Sequence, residues 1–105
     1  MKFGDMSKVM KQVQKMQQDL AKLQDSLKEM TVEASSGGGV VKVVCSGKQE
    51  VKSIKINPEA IDLEDIEMLE DLVLTAVNEA LRKSQELQAE QMSQITGGIK
   101  VPGLF

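Results

Sequence analysis

The sequence predicts an α+β subunit in which a three-stranded antiparallel meander lies between two long helices. The hydrophobic period changes twice: apolar residues recur every three or four positions before residue 31, alternate with polar residues over residues 31–56, and return to helical spacing after residue 62. A chain of 105 residues is the size of one small domain. We therefore expect a single domain, residues 1–105, with the element order α-β-β-β-α.

The first helix is expected over about residues 5–30. Its apolar residues form two series with a seven-residue spacing, the a/d pattern of a coiled-coil seam. The series are Met6, Val13, Leu20 and Leu27, and Val9, Met16, Leu23 and Met30. Such a helix is about 40 Å long, whereas six-residue strands span about 20 Å, so much of the seam has no sheet beneath it. We expect it to contact the second helix, another chain, or both, and a symmetric homodimer would cover it.

Three short strands follow, separated by turn residues. Their expected bounds are about 31–36, 40–45 and 51–56. Gly37–Gly39 is a turn because glycine tolerates the positive φ of a tight reversal, and Ser46–Gln49 is the second turn. Pro58 ends the third strand because proline has no N–H for the ladder. Cys45 lies in a valine-rich strand and is expected to be a small buried hydrophobic residue.

The second long helix is expected over about residues 63–94, with Asp62 as its N-cap. Its apolar stripe comprises Ile66, Leu69, Leu72, Val73, Ala76, Val77, Ala80, Leu81 and Leu87. The sequence is mostly polar after Leu87, so we expect this end to fray or project. Residues 96–105 contain several glycines and a proline, which predicts an extended or mobile tail.

The amino-acid composition excludes most kinds of catalytic site and metal site. The chain has no His and a single Cys, which excludes a histidine base, a histidine-ligated metal, a cysteine cluster and an intrachain disulfide. We expect no enzyme activity, no cofactor, no metal and no small-molecule substrate, although a mechanism that uses only carboxylates stays open. No segment approaches the roughly 20 apolar residues of a membrane span, and we expect a cytoplasmic protein.

Positive charge is concentrated in the first half of the chain. Residues 1–55 contain ten Lys and six acidic residues, whereas residues 56–105 contain three basic and ten acidic residues. At 100° per residue, four lysines of the first helix lie within about 60° of one another, opposite the seam. These are Lys8, Lys11, Lys15 and Lys22. Such a stripe can follow a phosphate backbone, but lysine has no fork with which to read guanine.

Each basic group also has an explanation that involves no ligand. A lysine stripe opposite an apolar seam is typical of a solvated helix face, and Asp19 would neutralise part of it. Arg82 and Lys83 are explained as helix cations placed toward the negative end of the helix dipole, or as partners of Glu79 and Glu86. A further cluster on the hairpin is explained as protection of an edge strand against aggregation. This cluster comprises Lys42, Lys48, Lys52 and Lys55.

Several segments together resemble the YbaB/EbfC family of bacterial nucleoid-associated proteins. They are the runs 37–43, 54–58 and 64–72, and the ending Gly-Gly…Pro-Gly-Leu-Phe. The resemblance spans the whole chain and implies an α-β-β-β-α subunit, a homodimer with projecting helices, DNA binding and a location in the nucleoid. Cys45 stands where the family more often has Thr or an aliphatic residue, and Asn57 stands where Asp is common. The family has no sharply defined DNA-contact motif, so the resemblance does not assign contact residues.

The leading hypothesis is a homodimer that binds double-stranded DNA with little sequence specificity. Its candidate DNA-binding residues are Lys8, Lys11, Lys15, Lys22, Arg82 and Lys83. The alternative is a dimeric scaffold for protein–protein interaction, in which the apolar seam holds a partner and the lysines only cover the helix. Binding that weakens steeply with salt would favour the first hypothesis.

Overall fold

The chain folds into two long helices and a three-stranded sheet, in the predicted α-β-β-β-α order. The structure is a computed structural model that describes the backbone of residues 3–96 and the side chains of residues 6–95. The elements are α1 (Phe3–Glu29), β1 (Thr31–Ser36), β2 (Val41–Ser46), β3 (Val51–Ile56) and α2 (Ile66–Thr96). The tail expected over residues 96–105 lies, after Thr96, outside the described residues.

The sheet is the expected antiparallel meander, with β2 at its centre. Strands β1 and β2 pair from Thr31 opposite Ser46 to Ser36 opposite Val41. Strand β3 pairs with β2 through a bulge at Lys52, since Ser53 pairs with Val44 but Val51 pairs with Cys45. All three residues of Gly37–Gly39 have positive φ, which explains the glycines of this turn.

One face of the sheet packs against α2 and forms the main core. Its buried members are Ala34, Val41, Val43, Cys45, Ala76 and Ala80, with Val32, Val40, Leu69, Leu72, Val73, Val77 and Leu81 partly buried around them. Most of the stripe predicted for the second helix therefore lies at this contact. Cys45 is fully buried, as predicted, and burial raises the pKa of its thiol.

A second, smaller core joins the two helices beyond the sheet. Leu23 and Leu27 of α1 and Met92 of α2 are buried there, and Leu20, Met30, Leu87 and Ile95 pack around them. Helix α1 runs toward the β2–β3 turn, and α2 runs away from this turn after Ser84, so the two helices are antiparallel where they meet. Of the two outcomes expected after Leu87, fraying is wrong, because the helix continues to Thr96 and its Met92 and Ile95 pack on α1. The other outcome, projection beyond the sheet, is what the structure has.

The start of α2 also differs from the expectation. Asp62 does not cap the helix: its carboxylate accepts the N–H of Glu64 within a turn, 2.9 Å away. The helix begins at Ile66 and its N-cap is Asp65, whose Oδ1 accepts the N–H of Met68 at 3.2 Å. The turn over residues 62–65 is closed by the Asp65 N–H donating to the Asp62 carbonyl, which displaces the cap by three residues.

Candidate nucleic-acid interface

The first half of α1 projects from the body of the protein. Every residue from 6 to 18 is exposed, and burial begins only at Asp19 and Leu20, where α1 meets α2. The exposed residues include five large apolar ones, of which Met10 has 62% of its surface exposed. They are Met6, Val9, Met10, Val13 and Met16. We call residues 6–18 the arm. Half of the predicted seam therefore has no partner within the described residues of this chain.

The arm is positively charged along one side. It contains Lys8, Lys11 and Lys15 and no acidic residue, and Lys22 continues the same stripe toward the sheet. All four side chains are exposed. Among residues 6–95 no hydrogen bond or ion pair engages them, and none joins Asp19 to Lys15 or Lys22. The four ammonium groups are thus available to an external anion.

The β2–β3 turn holds the base of α1 against the sheet. The Gly47 N–H donates to two carbonyls at the end of α1, those of Leu27 (3.0 Å) and Met30 (2.9 Å). A Cβ on Gly47 would lie 2.9 Å from the Leu27 carbonyl oxygen, so only glycine permits this approach. We call this contact the joint.

Helix α2 completes the joint through Ser84, which is fully buried. Its hydroxyl donates to the Ser46 carbonyl at 2.6 Å and accepts the Gln49 N–H at 3.1 Å. The turn is therefore bonded to both helices, and together with the second core it sets the direction in which the arm leaves the sheet.

The structure does not bring Arg82 and Lys83 together with the lysines of α1. Arg82 lies five residues, or about 7 Å along the helix axis, before Leu87, the first α2 residue in the contact between the helices. Its guanidinium bonds both Glu79 and Glu86, and the hydrogen bond from Arg82 lowers the pKa of Glu79. The Lys83 ammonium donates to the Glu33 carbonyl of β1 at 2.9 Å. Both charges are already engaged within the subunit.

Two features of the charge distribution emerge only from the fold. Lys42 and Lys55 are direct cross-strand partners on β2 and β3, a pairing that depends on register and is not visible in the sequence alone. At the other end of the molecule from the arm, residues 59–71 contain seven carboxylates and no basic residue. The described part of the chain extends 74 Å along its longest axis, so a basic and an acidic end are well separated.

The described side chains contain no cluster of three or more His, Cys, Asp or Glu that could hold a metal ion. Neither α1 nor α2, over the residues that the structure describes, is long and apolar enough to cross a membrane.

Comparison with known proteins identifies the family to which the chain belongs. Residues 1–99 match the YbaB/EbfC DNA-binding family. The chain belongs to that family. A nucleoid-associated protein of Desulforamulus reducens is 63% identical over 102 residues, which are 97% of each chain. A nucleoid-associated protein of Pelotomaculum thermopropionicum is 58% identical over 102 residues, again 97% of each chain.

The fold of this YbaB/EbfC member is also found in a solved structure. The crystal structure of an uncharacterised protein from Helicobacter pylori matches with a TM-score of 0.74, covering 92% of this chain and 99% of that one. Only 23% of the aligned residues are identical, so this likeness concerns the fold. The resemblance inferred from the sequence is confirmed, and the family is a DNA-binding one rather than a family of enzymes.

Proposed function

We propose that this protein binds duplex DNA as a homodimer, with little sequence specificity, through phosphate contacts from the lysines of α1. The observation that carries the proposal is the arm: three exposed lysines in a segment with no acidic residue, none of them paired within residues 6–95, on a helix that projects from the body. Membership of a DNA-binding family and relatives named nucleoid-associated proteins support the same function and a location at the nucleoid.

Low specificity follows from the type of side chain that is available. Ammonium groups contact phosphates as point charges, whereas base readout in the major groove typically uses the forked donors of Arg or the amides of Asn and Gln. The one arginine, Arg82, is held by two glutamates, and Arg82 and Lys83 therefore contribute less than the α1 lysines. The arm does contain glutamines, such as Gln12 and Gln14, but it has no arginine and no asparagine.

A homodimer is supported by an uncovered apolar surface beside β3. Ile54 and Ile56 pair with Val43 and Val41, so they share the face that packs on α2, yet Ile54 is 45% exposed. On α2, Leu74 is 59% exposed and lies nine residues, or half a turn around the helix, from Lys83. Since Lys83 contacts β1, Leu74 lies on the flank toward β3.

We call Val51, Ile54, Ile56 and Leu74 the β3-side patch. A second copy of the chain would cover this patch on both subunits across a two-fold axis. The dimer then carries two arms, and phosphate neutralisation by both provides the binding energy.

The same arm supports a second candidate function, a scaffold for another protein. The specific observation is the exposed apolar side of the arm, opposite the lysines, where Met6, Val9 and Val13 have half of their surface exposed. Exposed apolar stripes of this kind are typical of helix-in-groove contacts. The two functions differ in their response to salt, because only DNA binding releases condensed counterions.

The test is fluorescence anisotropy of a labelled random duplex, measured at several salt concentrations. The arm variant is Lys8→Gln/Lys11→Gln/Lys15→Gln, and the matched control, Lys28→Gln/Lys48→Gln/Lys52→Gln, removes the same charge elsewhere. We expect the binding constant of the wild type to fall steeply with salt. In a plot of the logarithm of the binding constant against the logarithm of the salt concentration, the arm variant should lose up to about five units of slope per dimer. The control should keep most of the slope.

Two results would contradict the proposal. If the wild type does not bind at low salt, the DNA-binding function fails, and capture of a partner by the apolar side of the arm becomes the leading function. If the arm variant and the control lose the same slope, the arm is not the contact surface. Light scattering on each variant confirms that the oligomeric state is unchanged.

A further inference from the structure

The face of the sheet that points away from α2 carries an unusual pair of charges. Val41, Val43 and Cys45 point toward α2, so the alternate residues of β2 and their register partners occupy the opposite face. That face is formed by Thr31, Glu33, Ser35, Lys42, Val44, Ser53 and Lys55. Ser35, Lys42 and Lys55 form one row across the three strands. We call this row the lysine row.

The two lysines of this row repel each other in the isolated subunit. Residues directly opposite in an antiparallel pair have Cβ atoms about 5 Å apart, and like charges there destabilise the sheet. Both side chains are exposed. Within residues 6–95 neither forms an ion pair or a hydrogen bond, including with Glu33 on the same face or Glu59 after the end of β3.

Protection of a sheet edge, the explanation suggested by the sequence, does not account for Lys42. Lys42 lies on β2, which is the central strand and is paired on both sides. A charge on a central strand blocks no edge. The pairing of Lys42 with Lys55 therefore contributes no evident stability to the fold. An external anion bound by both ammonium groups would replace their mutual repulsion with attraction to the anion.

We propose that the lysine row is a second phosphate-binding surface for duplex DNA, distinct from the arm. The two ammonium groups neutralise neighbouring phosphates, and the Ser35 hydroxyl, exposed in the same row, donates a hydrogen bond to a phosphate oxygen. This inference rests on the proposed DNA-binding function and extends it: DNA contacts the sheet as well as the helices. Helix α1 runs about 21 Å between Lys15 and Glu29, so the two surfaces contact different phosphates.

The experiment compares Lys42→Gln/Lys55→Gln with the matched control Lys28→Gln/Lys48→Gln, in the full-length protein. Both variants remove two positive charges, but the control lysines lie outside the row and have side-chain partners of their own, since Lys28 is close to Asp25 and Lys48 donates to Gln24. We expect the row variant to bind a random duplex about tenfold more weakly at low salt and to lose up to about four units of slope per dimer. The control should stay within about twofold of the wild type.

Thermal unfolding tests whether the two lysines have a structural role, because such a role would lower the Tm of the row variant, whereas the proposal predicts no decrease. Because the row variant removes a like-charge pair, its Tm without DNA should equal or exceed that of the wild type. A lower Tm would make the lysines structural and overturn the proposal. A dimer that dissociates in the row variant, as seen by light scattering, would also overturn it by placing the row at a subunit contact.

The outcome also separates this inference from the proposed function. If the wild type binds DNA and the row variant matches the control in slope and affinity, the second surface does not exist but the arm retains its role. If the wild type does not bind DNA at all, both fail. Inorganic phosphate at millimolar concentration serves as a competitor: full displacement of the duplex would indicate a site for free phosphate and contradict the proposal.

Discussion

The hydroxyl of Ser84 contributes to stability more than its small size suggests. It is fully buried and is both donor and acceptor to the β2–β3 turn, through the Ser46 carbonyl and the Gln49 N–H. Gln49 has a positive φ of 63°, a backbone conformation that is unfavourable for non-glycine residues unless local contacts hold it. The Ser84 hydroxyl is one of those contacts.

We expect Ser84→Ala to destabilise the protein by about 1–3 kcal/mol, because it removes two hydrogen bonds that each contribute about 0.5–1.5 kcal/mol. The Gln49 N–H also donates to the Ser46 carbonyl at 3.1 Å, and the variant keeps this bond. Urea unfolding at one protein concentration measures the change. Ser93→Ala, at an exposed position of the same helix, is the control and should change stability by no more than about 0.5 kcal/mol. Equal effects of the two substitutions would mean that these hydrogen bonds contribute nothing.

Single residues also mark how far the sequence could be interpreted. The burial of Cys45 was predictable, since it follows from alternation in a valine-rich strand. The choice of Asp65 over Asp62 as N-cap was not, because both are acidic residues before a helix and only the turn between them decides. The contact of Lys83 with Glu33 joins residues 50 positions apart, and nothing in local sequence indicates it.

At the scale of elements, α1 consists of two halves with different surroundings. Its second half packs on α2 through Leu23 and Leu27, whereas every residue of the arm is exposed. The heptad pattern predicts both halves equally well, because periodicity indicates a helix with an apolar side but does not say what covers it. The same limit explains why the end of α2 was misjudged: Met92 and Ile95 are isolated apolar residues until α1 is placed beside them.

We expect the backbone amides of residues 6–18 to exchange with solvent at least about tenfold faster than those of residues 20–29. Packing on α2 protects only the second half, and an isolated half-helix frays. Hydrogen–deuterium exchange with mass spectrometry on the free protein measures both segments within one helix. Equal protection would show that the arm is covered by another chain in the absence of DNA, as the scaffold function requires.

At the scale of the whole molecule, the distribution of apolar surface argues for a dimer. The strands and their order were predictable from alternation and glycine turns, but the β3-side patch was not, because it exists only once α2 is seen to cover β1 and β2 more than β3. The candidate lysines of α1 were predictable from spacing alone. The lysine row required the register of the sheet.

We expect Ile54→Lys, which places a charge in the β3-side patch, to convert the dimer to monomers at micromolar concentration. Sedimentation velocity or light scattering distinguishes the two states. Met68→Lys is the control: Met68 is 58% exposed and lies on the other flank of α2, and its dimer should persist. If Met68→Lys gives monomers and Ile54→Lys does not, the subunits meet on the flank of β1 instead.

The joint at Gly47 and the adjoining second core are the pivot from which the arm extends. From Leu27, whose carbonyl accepts the Gly47 N–H, the helix continues for about 32 Å to Met6. A tilt of only about 5° at the pivot would therefore swing the tip of the arm by about 3 Å, a substantial displacement for side chains that must meet phosphates. The accuracy of a contact at one end of the molecule thus depends on a turn near its middle, whose only charged side chain, Lys48, is hydrogen-bonded to Gln24.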